Sequence, residues 1–420
     1  MRRAAYWLAV AFIFTVPWEA AIHVGALGRL SRAAGLAAAG VWTLSVLARG
    51  RGRPPNPLIK AYFLFLIWNG LTLFWTIDTG ATVKGFLTYL QIFGMILVVM
   101  DLFESERRIE IGLQAFVLGA YVSGVSILVN WRTAPPTRFP EHQRIDALGF
   151  EVDGIALIVA LAIPAAWYLA TGPAAARQSR TASAVNLAYV PLAFSALALT
   201  GTRGAAVASV PTVVFILWTL WNTRSNVRIV ALTMVAVAVA SIALFVPREP
   251  VQRIAGSVSD ITGEDTLSGR TDIWQESITT FVHDPVAGVG LDAHRAAVSA
   301  GKEAHNTALS ILVETGLVGF VLVVALVAIV VANVRRQPRW NMWYWSSQLA
   351  AVVLGSMSLS LEDSKSVWIL ITLAVASAAA TRAHTDATDA RPSEPQQGAF
   401  VPAYSYGFAA WNTQPAQDRP

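Results

Sequence analysis

The stretch NTALSILVETGLVGFVLVVALVAIVVAN, Asn306–Asn333, decides the fold. Glu314 is its only ionisable side chain. About 20 apolar residues in a helix cross a hydrocarbon core of about 30 Å, because lipid offers no partner for peptide groups that the helix leaves unpaired. Similar runs lie near residues 4–23, 30–48, 58–76, 82–103, 109–129, 152–171, 182–200, 204–222, 228–246, 341–360 and 363–381. The pattern predicts an all-α integral membrane protein with about twelve transmembrane helices. A spanning β-barrel would instead show short alternating segments. The composition agrees, with 55% apolar and 14% charged residues.

Charge sets the expected orientation. Arg2 and Arg3 precede the first run. Arg49, Arg51 and Arg53 follow the second, Arg107 and Arg108 the fourth, Arg177 and Arg180 the sixth, Arg224 and Arg228 the eighth, and Arg335, Arg336 and Arg339 the tenth. The positive-inside rule puts these connections and both termini in the cytoplasm. The net charge of +5 then needs no nucleic acid to explain it. With no cysteine, disulfides and thiol chemistry are excluded. Tyr6–Val16 has the length of a signal-peptide core, but Pro17, Trp18 and Glu19 follow where a small-residue cleavage site would stand. It is read as a retained first span.

Residues 1–382 are expected to form one polytopic membrane domain, with long outward loops at 130–151 and 247–305. Residues 383–420, including RPSEPQQGAF and NTQPAQDRP, are too polar and too rich in Pro and Gln to fold alone, and are expected to be a disordered cytoplasmic tail.

Three places in the outer half concentrate ionisable groups. GRTDIWQESITTFVHDP, Gly269–Pro285, puts Ile273, Ser277, Ile278, Phe281 and Val282 at helical spacing, which predicts an amphipathic interfacial helix over 270–283 stopped by Asp284-Pro285. Arg270 falls in its first turn, where the helix dipole favours an anion, so Arg270 is either a seat for an anionic ligand or a solvated arginine paired with a nearby acid. Arg203 lies in the break Gly201-Thr202-Arg203-Gly204, near the outer boundary, as a functional candidate or a snorkelling side chain. His305-Asn306 opens the tenth span, where a neutral imidazole can take a proton or simply anchor the helix. His283 and His294 share the loop, at separations that fit no compact metal motif. Glu151 and Asp153 start the sixth span, and Glu314 lies inside the tenth, where it is expected to pair with an arginine or a backbone donor. SLSLEDSKS, with Glu362, Asp363 and Lys365, reads as a short outward turn without an assigned role. No Walker loop, dinucleotide fingerprint or GxSxG elbow is present.

TGTRGA, SGRTDIW, DPVAGVGLDA and HNTALSILVETGLVG, in this order between about residues 195 and 325, resemble the O-antigen ligase and polymerase superfamily. The resemblance implies a GT-C-type, metal-independent and inverting glycosyltransferase without a cofactor. Its donor would be a glycan on undecaprenyl pyrophosphate at the outer face of the bacterial cytoplasmic membrane. Its acceptor would be a hydroxyl of a glycan, lipid or protein. Arg203 and Arg270 match the arginines that would bind pyrophosphate, and His305 matches the proposed base. Asn306, Glu314 and Asp153 join them as candidate substrate-binding residues. FEVDGIAL departs from a family asparagine at this position, which leaves the role of Asp153 open. The alternative reading is a transporter or flippase of lipid-linked glycans, which would line a central cavity with charge at mid-membrane depth. In this sequence the charges gather at the outer rim instead.

Overall fold

The computed structural model describes residues 1–25, 28–50, 52–133, 145–222 and 270–389, with a few isolated positions between 228 and 240. Every named element is a helix. They are α1 (Arg2–Thr15), α2 (Leu30–Leu47), α3 (Pro57–Leu71), α4 (Thr79–Leu102), α5 (Glu106–Thr133), α6 (Val152–Thr171), α7 (Arg180–Thr200), α8 (Arg203–Asn222), α9 (Arg270–His283), the single turn α10 (His294–Ala297), α11 (Thr307–Arg335), α12 (Arg339–Ser356) and α13 (Lys365–Asp389). Met1–Thr381 form one compact unit.

Nine helices among the described residues, α2 to α8, α11 and α13, are long and apolar enough to cross a membrane. The other three expected spans fare differently. α1 is 14 residues long and passes into a single 3-10 turn at Val16–Trp18. α12 is a helix of 18 residues, but Arg339, Asn341, Ser347 and Gln348 dilute its apolar character. Residues 228–246 lie almost wholly outside the described residues, as do 247–269 of the long loop and the tail beyond Asp389.

α6 forms the centre of the bundle, with 89% of its span buried, against 17% for α2 at the lipid-facing side. Three side-chain hydrogen bonds tie α6 to its neighbours. Trp167 Nε1 donates to Thr219 Oγ1 at 2.6 Å, Tyr168 OH to Asn341 Oδ1 at 2.8 Å and Gln348 Nε2 to the Leu161 carbonyl at 3.1 Å.

Ion pairs define one end of the bundle. Arg2 meets Asp101 at 3.0 Å and Glu104 at 2.7 Å, Arg49 meets Asp101 at 3.6 Å, and Arg177 meets Glu106 at 3.1 Å and also bonds Glu110. This joins the starts of α1 and α5 to the ends of α2, α4 and α6. The starts of α2, α4, α6, α8, α11 and α13 therefore lie toward the opposite end, which carries the cavities described below.

α11 is broken where the apolar run looked continuous. Gly316 has φ 65° and ψ −167°, inside the span. The break frees backbone groups about 13 Å down a helix that starts at Thr307, given 1.5 Å rise per residue, and these cannot be left unpaired in lipid. DPVAGVGLDA supplies the partners. The Val289 and Gly290 N–H groups donate to the Val313 and Glu314 carbonyls at 2.9 Å, and the Leu317 N–H donates to the Pro285 carbonyl at 2.8 Å. The contact is backbone on backbone. A Cβ on Gly288 (φ 68°) would lie 2.5 Å from the Glu314 carbonyl carbon, and one on Gly316 would lie 2.2 Å from the Val286 oxygen. Gly288→Val and Gly316→Val are therefore expected to lower the melting temperature of the purified protein strongly. Left-handed strain alone costs about 1–3 kcal/mol per residue, before the loop is pushed off the helix. A melting temperature equal to wild type in both variants would show that this seam is not formed.

Candidate functional site

Three helix starts carry the three residues singled out by sequence. α7 ends on Gly201, whose left-handed φ of 59° turns the chain, and α8 begins two residues later at Arg203. Gly204 lies against Ser358, with room for no Cβ: it would stand 2.3 Å from the hydroxyl. α9 begins at Arg270, and one turn on Trp274 Nε1 donates to the Ala304 carbonyl at 2.8 Å, beside His305. Asn306 caps α11 by accepting from the Leu309 N–H at 3.2 Å. Thr307 Oγ1 then donates to the Leu359 carbonyl at 2.9 Å and accepts from the Leu361 N–H at 2.8 Å. The segment 358–361 thus touches both the start of α8 and the start of α11, while Trp274 ties α9 to the latter.

Beside these starts lies a cavity of about 700 Å³. His305 is in its wall, with Glu19, Arg29, Arg32, Lys84, Glu151, Glu303, Asp363 and Lys365. Arg203, Arg270, Asn306 and Asp153 are not among the described residues of that wall; Gly154, next to Asp153, is. Both arginines and Asp153 have interactions of their own. His305 adopts a left-handed φ of 49°, rare for a residue with a side chain, and its Nδ1 is buried with no hydrogen-bond partner among the described residues.

A second cavity of about 350 Å³ adjoins the first and shares Lys84, Thr88, Glu303, Ser360 and Asp363 with it. Its wall gathers six carboxylates, Asp78, Asp292, Glu303, Glu314, Glu362 and Asp363, against Lys84 and Arg295. Glu314 is buried, and of its two expected partners it has the backbone one: Asp292 hydrogen-bonds it through the main chain, and no arginine is ion-paired with it among the described residues. Its electrostatic neighbours are Glu362, Asp292 and Asp363. The combined site carries both signs. Arg29 (3.0 Å) and Lys365 (2.7 Å) share the Glu19 carboxylate, with Arg32 in the same wall. The carboxylates are densest in the second cavity, beside Lys84 and Arg295.

Burial and neighbouring acids push the acids upward. Asp363 is exposed on the cavity wall, and the protein packed around that cavity, with Asp292 and Glu303 facing it, raises it to about 6. Enclosure raises Glu362 further above the carboxylate range, with Asp363 adding to the effect. Burial also raises Asp292. An acid whose folded pKa exceeds its unfolded value holds its proton more tightly when folded. It stabilises the fold below the unfolded pKa, and that contribution is lost as pH rises through the folded value. The melting temperature is therefore expected to fall as pH rises from 3.8 toward 6, with Glu362 extending the decline upward. Asp363→Asn should flatten the lower part of this slope and Glu362→Gln the upper part. Slopes unchanged in both variants would contradict the enclosure.

Three other ionisable loop residues are held by hydrogen bonds, and His294 also reaches the wall of the second cavity. Ser277 Oγ bonds His294 Nε2 at 2.8 Å in a buried contact, and burial lowers the pKa of that imidazole. His283 Nδ1 bonds the Thr279 carbonyl of its own helix at 2.8 Å. Glu276 accepts from the Ser299 N–H at 2.7 Å and from its hydroxyl at 2.6 Å, which lowers its pKa and staples α9 to the loop. Ile273 is buried against the protein, while Ile278, Val282 and Val286 form an exposed apolar stripe, so the periodic face of α9 is divided between two surroundings.

The sequence reading missed Glu19, Arg29, Arg32, Lys84 and Glu303, and gave Lys365 no role. Arg29 and Arg32 offered the one available signal, since they sit at the supposed outer end of α2 against the positive-inside trend.

No curated protein matches the chain. A family described as O-Antigen ligase matches residues 188–324, a segment that contains Arg203, Arg270, His305, the Gly316 break and the loop threaded across it. That match, on a multi-pass helical membrane protein, supports an O-antigen ligase-like family for this chain.

Proposed function

We propose that the protein transfers a glycan from undecaprenyl pyrophosphate to an acceptor hydroxyl at the outer face of the bacterial cytoplasmic membrane, with inversion and without a metal, on a GT-C-type scaffold. The acceptor oxygen attacks the anomeric carbon. The bond from that carbon to the diphosphate oxygen breaks, and the lipid diphosphate leaves with the electron pair. His305 takes the hydroxyl proton. Arg203 and Arg270 hold the diphosphate through planar guanidinium groups that stay charged at any working pH. The carboxylates of the second cavity, Glu314 among them, accept hydrogen bonds from sugar hydroxyls, while Asn306 and Asp153 set the helix starts around the donor.

The observation that supports this reading best is the placing of His305: a strained, partly buried imidazole in the wall of a polar cavity. The starts of α8 and α9 reach the same neighbourhood through Ser358 and Ala304. Functional residues commonly hold such strained backbone, and a low-water site strengthens every charge-assisted contact within it.

The test uses purified protein, undecaprenyl-pyrophosphate glycan and a panel of glycan, lipid and protein acceptors, with and without EDTA. Free undecaprenyl pyrophosphate is expected only with a competent acceptor, at a rate that EDTA leaves unchanged. Acceptor-independent release, or release stopped by EDTA and restored by a divalent cation, would overturn the corresponding part of the proposal.

A further inference from the structure

An apolar groove of about 290 Å³ runs between α1, α2 and α4. Phe12, Gly35, Ala39, Gly94 and Val98 are in its wall, and its polar end is made by Arg32, Gln91 and Lys365. These same three residues belong to the wall of the 700 Å³ cavity that holds His305. Groove and cavity therefore share a wall, apolar along the groove and carrying two cations where they meet. From Gln91 to Val99 the groove follows α4 for about 12 Å, at 1.5 Å per residue.

The cavity wall holds four carboxylates, Glu19, Glu151, Glu303 and Asp363, and four arginines and lysines, Arg29, Arg32, Lys84 and Lys365. Glu19 is shared between Arg29 and Lys365, and Arg32 has no ion pair among the described residues. Glu303 and Asp363 belong to the wall shared with the acidic second cavity, and Glu303 bonds Arg295. A second apolar groove, between α11, α12 and α13, ends instead at Thr307 and Glu362 and offers no cation to a phosphate.

We infer that the groove between α1, α2 and α4 seats the first isoprene units of the lipid diphosphate, with Arg32 and Lys365 receiving its proximal phosphate. This rests on the donor proposed above and adds where the tail leaves the site. The charge at the junction fits a phosphate head, and the apolar walls fit the chain attached to it.

Gly94 gives a clean test. A Cβ there meets nothing within 4 Å, so a leucine can start into the groove, and it improves helix propensity. Gly40, on α2 but outside the groove, is equally open and serves as the control. The probe is undecaprenyl diphosphate, titrated into the purified full chain and read by native mass spectrometry, with phosphatidylglycerol as competitor. Gly94→Leu and Arg32→Ala are expected to weaken binding about tenfold, since each methylene kept from burial costs a few-fold, while Gly40→Leu binds as wild type. No binding by wild type, undiminished binding by Gly94→Leu, or displacement by equimolar phosphatidylglycerol would overturn the assignment. Binding that follows this pattern in a protein that transfers glycan to no acceptor would keep the groove and reject the enzymatic reading. Transfer with undiminished Gly94→Leu binding would do the reverse.

Discussion

Replacing His305 with asparagine or alanine is expected to lower the rate of glycan transfer by about 10²–10⁴, the usual contribution of a positioned proton acceptor. The donor should still bind. Asparagine is the sharper variant. The backbone at 305 is left-handed, with φ 49°; asparagine tolerates that conformation better than alanine and cannot act as a base. A rate lost in His305→Asn with an unchanged melting temperature therefore reports chemistry. His305 Nδ1 has no partner among the described residues, so no carboxylate fixes the tautomer as in a catalytic triad. Wild-type rates in both variants would remove His305 from the mechanism.

Arg270→Ala and Arg203→Ala are each expected to cost about 10²–10³ in turnover, the range measured when one donor to a developing anion is removed. The leaving diphosphate gains charge as the glycosidic bond breaks, so the loss should fall on kcat more than on donor binding. Arg270→Lys should not restore the rate, because an ammonium group cannot reproduce a two-point contact with phosphate oxygens. The start of α9 does not itself favour a cation, so its stability does not depend on this guanidinium through the helix dipole. Retained kcat in Arg270→Ala, measured with saturating donor, would contradict the role.

Most spans were legible because lipid makes a simple demand: a long apolar run has no other stable state. The helix Arg270–His283 was readable for a related reason, since its 3.6-residue period ends abruptly at Asp284-Pro285. The break at Gly316 was not readable from hydropathy. Valines and leucines continue on both sides, and the hydrogen bonds that permit the break come from residues 285–290, distant along the chain. α12 falls short of the apolar composition of the other spans because its window holds Arg339, Asn341 and Gln348 beside its tryptophans and tyrosine, yet it runs between the end of α11 and the start of α13, where the sequence predicted a span.

At the site, sequence supplied residues whose chemistry was local and conspicuous: an arginine at a helix start, or a histidine before a span. It did not supply the cavity wall. Glu19, Arg32, Lys84 and Lys365 come from four separate segments and meet only through packing. The fold widens the emphasis accordingly, from two arginines and a histidine to a charged chamber lined by both cations and carboxylates.

The most direct measurement is an experimental map of the protein with undecaprenyl pyrophosphate bound. The account predicts the diphosphate in the cavity beside His305, within hydrogen-bond reach of Arg203 or Arg270 on its sugar side and of Arg32 or Lys365 on its lipid side, with His305 facing the position of the anomeric carbon. A diphosphate seated instead at the Arg2, Arg49 and Arg177 end of the bundle, or well away from His305, would contradict it.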